Sequence, residues 1–144
     1  MLFRSLIDHC VPGPLTIVGP RGPRVLDEVT GGQDTVAVRV PSHRTAHALL
    51  TACRLRGVTG LVAPSANLYG HVSPTTAEHV VADLGPWLDS HQGLVLDGGA
   101  CTVGVESTIV LATGDNPVVL RPGGITRKAI SEATGLEEIG RAHV

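Results

Sequence analysis

Short apolar runs, each cut off by glycine or proline and often followed by a helically spaced segment, leave this chain few folds to choose from. The clearest run is TVAVRV at residues 35–40. Val36, Val38 and Val40 share one face there, and Thr35, Ala37 and Arg39 the other. Residues 15–18, 60–63, 93–96, 109–111 and 118–120 read as further strands. Residues 42–56 carry Ala46, Leu49, Leu50 and Cys53 on one helical stripe, with Ser42 as cap. A second helix, from Pro74 to about Leu84, carries Ala77, Val80, Val81 and Leu84, and Gly85-Pro86 ends it. Residues 6–11 look like the last turns of a helix stopped by Pro12-Gly13-Pro14, and Thr126 caps a final helix to about Ala133. Alternating strands and helices predict the α/β class: an open twisted sheet with flanking helices. The strands after residue 94 follow one another closely, so a mixed β-sheet is expected.

Composition narrows the function classes. With one Phe, one Tyr and one Trp, a core must come from Val, Leu, Ile and Ala. A net charge of -2 gives no basic field for nucleic acid. No apolar run reaches membrane-spanning length, so no membrane partner is expected. Cys10, Cys53 and Cys101 are odd in number and far apart, which suits a reduced cytoplasmic protein better than a disulfide framework or a zinc site. There is no GxxxxGK[ST] and no GxGxxG, which argues against a P-loop nucleotidase and a Rossmann dehydrogenase.

Polar residues are concentrated in a few places. Residues 60–78, GLVAPSANLYGHVSPTTAE, read as strand, polar loop and helix start. Ser65 and Asn67 can donate hydrogen bonds, Gly70 allows a sharp turn, and Thr75 and Glu78 have capping-box spacing. Such a loop suits an anion at a helix N-terminus, and it also suits an ordinary surface turn. Arg39, inside an apolar strand, either snorkels to an edge or reaches a carboxylate, one of the chain in the common case or else a ligand's. Glu106, Ser107 and Thr108 interrupt the apolar stretch 103–111 and need partners if that strand is central. Arg121, followed by Pro122-Gly123-Gly124, puts a second guanidinium at a strand end. Asp97 before Gly98-Gly99 reads as a turn residue, with a metal or ribose ligand as the other possibility. His43 and His47, four apart, read as a solvated helical face rather than a metal pair.

The two ends stand apart. MLFRS and EIGRAHV have no relation to what lies between, and both can be encoded by a common sequencing-adapter sequence. Residues 1–5 and 139–144 are therefore expected to be non-native, around a partial domain at 6–137.

Taken in order, PGPLTIV, DTVAVRVPSH, VAPSANLYGHVSPTTAEHV, LDGGACTVGVESTIV and VLRPGG resemble the YrdC-like family of L-threonylcarbamoyl-AMP synthases. Each motif alone is weak, and together they are specific. The resemblance implies a YrdC-like fold, incomplete at its N-terminus. It implies an L-threonylcarbamoyladenylate synthase, a nucleotidyltransferase. Such an enzyme forms threonylcarbamoyl-AMP and pyrophosphate from L-threonine, bicarbonate or CO2, and ATP, for tRNA threonylcarbamoyladenosine modification. A carbamate oxygen attacks the α-phosphorus in line, which asks for positioning and charge neutralisation and assigns no catalytic nucleophile.

Carried over by position, Arg39, Ala63 and Ser107 match L-threonine contacts. Thr35, Ser65, Asn67, Ser73 and Arg121 match ATP contacts. Mg2+ is expected with ATP, without a protein metal cage. A downstream threonylcarbamoyl transferase and a weak tRNA contact are the implied macromolecular partners. Tyr69 departs from the pattern, since a small residue is frequent there. The N-terminal lysine and arginine of the family's ATP site have no counterpart here, so the chain alone is expected to be poorly active and to expose apolar surface. The alternatives are a YrdC-like domain of a hydrogenase-maturation carbamoyltransferase, an RNA-binding module, and a fragment without function.

Overall fold

The computed structural model describes residues 2–102, 104, 106–137 and 139–141. Val103 and Val105 of the 103–111 stretch lie outside them, as do Met1 and residues 142–144. The chain divides into two compact units, residues 1–42 with 105–144, and residues 43–104.

The first unit is built on a mixed, five-stranded sheet in the order β2-β1-β3-β4-β5, as the α/β reading expected. Its strands are β1 (Leu15–Pro20), β2 (Thr35–Arg39), β3 (Thr108–Leu111), β4 (Val118–Arg121) and β5 (Gly140–Arg141). β1 runs antiparallel to β2 and parallel to β3, β3 is antiparallel to β4, and β4 is parallel to β5. Because side chains alternate along a strand, Leu15 and Ile17 face one side and Thr16 and Val18 the other. The first side is the core. Leu15, Ile17, Val110 and Val119 bury there with Ile139, with Leu6 of α1 (Leu2–Cys10) and with Ile130 of α5 (Arg127–Thr134). Each such side chain contributes about 1.5–3 kcal/mol by leaving water. Val38 and Val40, by contrast, are 47% and 36% exposed, because β2 lies at the edge of the sheet. A short helix, α2 (Asp27–Thr30), lies between β1 and β2 and ends at Gly31 in the left-handed region.

The second unit holds α3 (Arg44–Leu55) and α4 (Ala77–Ser90). Several sequence expectations fail here. Residues 60–63 and 93–96 form no strand, and Leu61, Val62, Leu94 and Leu96 are exposed. An apolar run becomes a strand only when another strand takes its backbone N–H and C=O groups. The described sheet draws all its strands from the first unit. The stripe Ala46, Leu49, Leu50 and Cys53 is only partly covered, and no described residue of 43–104 is buried. The N-cap of α3 is His43, not Ser42, and no side chain caps it.

α4 also starts one residue later than the capping-box reading places it. Thr76 is the N-cap and accepts from the His79 N–H, while the His79 ring reaches back to Thr75. Gly85-Pro86 does not end α4, which continues to Ser90. Pro86 leaves only the Ala82 carbonyl without its helical donor, and Ala82 is exposed, so water can serve it. Among the described residues no helix is long and apolar enough to cross a membrane.

Candidate functional site

The second side of the sheet carries the polar groups. Strand register places Arg39 of β2 opposite Thr16 of β1, Thr16 beside Ile109 of β3, and Ile109 opposite Arg121 of β4. Ser107, two residues before Ile109, falls on the same side. The result is a row across four strands at one end of the sheet, with a guanidinium at each end and two hydroxyls between.

Each member of the row is held. Arg121 donates from Nε and Nη2 to the Ser107 carbonyl oxygen at 3.2 and 2.8 Å, and from Nη2 to Ser107 Oγ at 3.1 Å. Its Nη1 meets Glu106 Oε2 at 2.5 Å. Ser107 is 7% exposed, and its Oγ lies 2.9 Å from Thr16 Oγ1. Fully buried Thr108 satisfies both backbone groups of Ile125, donating to the carbonyl at 2.8 Å and accepting from the N–H at 2.9 Å. Thus the polar insertion at 106–108 splits by face. Thr108 is a structural clasp on the core side, and Ser107 and Glu106 meet Arg121.

The glycines explain how close these segments come. A Cβ on Gly123 would sit 2.3 Å from the Glu106 carbonyl oxygen and 2.5 Å from the Thr108 nitrogen, both backbone atoms that cannot move aside cheaply. Gly124 N–H then donates to Glu106 O at 3.2 Å. At the other end of the row, Gly13 N–H donates to Val40 O at 3.0 Å, and Gly13 O accepts from Arg39 Nε at 3.3 Å. Pro14 O accepts from Thr108 N–H at 2.9 Å. The Pro12-Gly13-Pro14 turn therefore ties the end of β2 to the start of β3. Among the described residues no carboxylate pairs with Arg39. Arg39 lies in the edge strand β2 and is exposed, so a side chain reaching past the sheet edge accounts for it, while the reading with a carboxylate of the chain finds no partner among the described residues.

Thr35 shares the face of Arg39 but sits four residues away, roughly 13 Å along the strand, opposite Pro20. It does not join the row.

In the second unit, Ala63 and Ser65 are exposed and Ser73 is half-buried. Asn67 does not project freely. Its amide donates to Leu68 O at 2.9 Å and His71 O at 3.0 Å, closing the turn around Gly70, whose φ is +84°. Asp83 of α4 clasps the same turn through the His71 ring at 3.1 Å and the Leu68 N–H at 3.4 Å. Asn67 Oδ1 is buried without a hydrogen-bond partner, so this amide oxygen is the acceptor left over in the turn. Asp97 accepts from Gly99 N–H at 2.8 Å, which is the turn role expected of it. His43 Nε2 lies 3.1 Å from Gly98 O.

Sequence reasoning missed Thr16 and the Asp83–His71 pair. Thr16 looks like any β-branched strand residue, and only its strand neighbours reveal a polar row. Asp83 sits in a helix twelve residues beyond His71, a pairing no local pattern signals.

Comparison with known proteins places the chain in a family. A family model for Sua5, YciO and YrdC proteins, described as "Telomere recombination", matches residues 2–123. The threonylcarbamoyl-AMP synthase of Bacillus subtilis is 44% identical over 133 residues, covering 92% of this chain and 36% of that protein. The enzyme of the same name from Schizosaccharomyces pombe is 45% identical over 144 residues, 95% of this chain and 33% of its own length. The crystal structure of Pyrococcus abyssi Sua5 complexed with L-threonine superposes with a TM-score of 0.84 at 38% identity, covering 97% of this chain and 38% of that one. The chain thus spans about a third of the length of these relatives. With its fold and most of its length matched, this chain belongs to the Sua5/YciO/YrdC family.

Proposed function

We propose that the chain carries part of the substrate site of an L-threonylcarbamoyladenylate synthase. Such an enzyme joins L-threonine, bicarbonate or CO2, and ATP into threonylcarbamoyl-AMP with release of pyrophosphate, for tRNA modification. What supports this reading most is the row at the end of the sheet. Arg39 has no internal carboxylate among the described residues, and Ser107 stands nearby with its hydroxyl oxygen held by Thr16 and Arg121. A guanidinium held at Nε by the Gly13 carbonyl, with no carboxylate partner among the described residues and beside a row of hydroxyls, suits the carboxylate of an amino acid. In this reading Arg39, Ser107 and the Ala63 backbone contact L-threonine. Arg121, Ser65, Asn67, Ser73 and Thr35 contact ATP.

The chemistry asked of these groups is modest. The carbamate is the nucleophile and the substrate supplies it, so the chain's task is to hold anions together and spread their charge. Arg121, braced by Glu106 and the Ser107 carbonyl, is a fixed cation for a phosphate oxygen. Among the described residues no cluster of three His, Cys, Asp or Glu could cage a metal ion. Mg2+ in this reading arrives on the triphosphate, which is its usual habit.

Isothermal titration of L-threonine and of ATP into the chain and its Arg39→Ala form tests this. L-threonine affinity is expected to fall at least about tenfold in the variant, the loss of a charge-assisted pair, with ATP affinity nearly unchanged. An unchanged affinity for L-threonine would remove Arg39 from the site.

A further inference from the structure

Resting on that reading, we infer that Thr16 is a positioning residue, which decides what the Ser107 hydroxyl offers to the bound amino acid. A serine hydroxyl has one proton and two lone pairs. Arg121 Nη2 can only donate, so its 3.1 Å contact occupies one lone pair of Ser107 Oγ. Thr16 Oγ1, 2.9 Å away, takes a second capacity: it either accepts the Ser107 proton or donates into the other lone pair. In both arrangements Ser107 keeps one polar function for a ligand, a lone pair in the first case and a proton in the second. Without Thr16 the hydroxyl keeps two and its proton can rotate, so the ligand must order it on binding.

Thr16 is well placed for this role. It stands in β1 between β2 and β3, directly across from Arg39. Paired side chains across antiparallel strands lie about 4.5–5.5 Å apart at Cβ, so Thr16 adjoins both the cation and the hydroxyl assigned to the amino acid. Arg121 does not depend on Thr16, because its bonds to Glu106 and to the Ser107 carbonyl remain if Thr16 changes. The effect should therefore fall on one substrate.

Titration of L-threonine and ATP into the chain and its Thr16→Val and Thr16→Ser forms tests this. Valine keeps the shape and loses the hydroxyl. L-threonine affinity should fall about tenfold in Thr16→Val and return to within about twofold in Thr16→Ser, while ATP affinity stays within about twofold throughout. In a Ser107→Ala background, Thr16→Val should cost nothing further, because the two residues act through one hydroxyl. Equal L-threonine affinity in Thr16→Val and the parent overturns the inference, and so do additive losses in the double variant. If the valine form does not melt cooperatively, Thr16→Ala is read the same way. A parent chain that binds no L-threonine overturns the proposed function itself, and this inference with it.

Discussion

At the scale of single residues, Thr108 shows how one side chain holds two segments together. Its hydroxyl meets both backbone groups of Ile125, and it is fully buried. Thr108→Val keeps the volume but leaves the half-buried N–H and C=O of Ile125 unpaired. The substitution should destabilise the chain by about 2–4 kcal/mol, read as a lower urea midpoint with an unchanged slope. No comparable loss would mean that water reaches Ile125. The polarity of Thr108 was legible in the sequence, but its role was not. Glu106, Ser107 and Thr108 are adjacent in sequence, and only the pleat decides that Ser107 faces Arg121 while Thr108 faces the core. Arg39 and Arg121 were legible because a cation in or beside an apolar strand is a conspicuous departure. Thr16 was not, because a threonine in a strand is ordinary.

At the scale of elements, the start of α4 carries a testable pH dependence. Thr76 caps it, accepting from His79 N–H, and replacement by alanine should cost about 1 kcal/mol. Glu78 follows in the first turn. A hydrogen bond from its own backbone N–H, and then one from the Thr76 side chain, hold its carboxyl below the ordinary 4.5. A depressed carboxyl supports the folded state above its unfolded value and loses that support as pH falls through the folded one. Melting temperature should therefore decline as pH drops below about 4.5, and the Glu78→Gln form should lack that part of the decline. Parallel curves for the two forms would show that the carboxylate does not matter to α4. The sequence located this helix from its apolar spacing and misjudged both ends. Either of two adjacent threonines could cap it, and an exposed helix tolerates a proline that a buried one would not.

At the scale of the whole molecule, burial is uneven. The buried residues belong to the unit formed by 1–42 and 105–144, and none of those described in 43–104 is buried. Amide hydrogen exchange should follow this. Ile17 and Val110 should be among the slowest amides, and those of α3 and α4 at least about tenfold faster, since local opening costs least where few apolar contacts must break. Comparable protection in the two units would refute that ranking. The sequence by itself determined the α/β class, the mixed character of the sheet and most helices, and it marked Arg39, Ser107 and Arg121 as polar departures in or beside apolar strands. These are encoded in periodicity, chain punctuation and residue type, which are local. Only the tertiary structure decided which apolar runs found strand partners. It granted this to 15–20 and 108–111 and denied it to 60–63 and 93–96. It alone brought Thr16 beside Ser107 across 91 residues of chain. The physical reason is the same in both cases: a strand, and a polar row across strands, exist only through hydrogen bonds to segments that are remote in sequence.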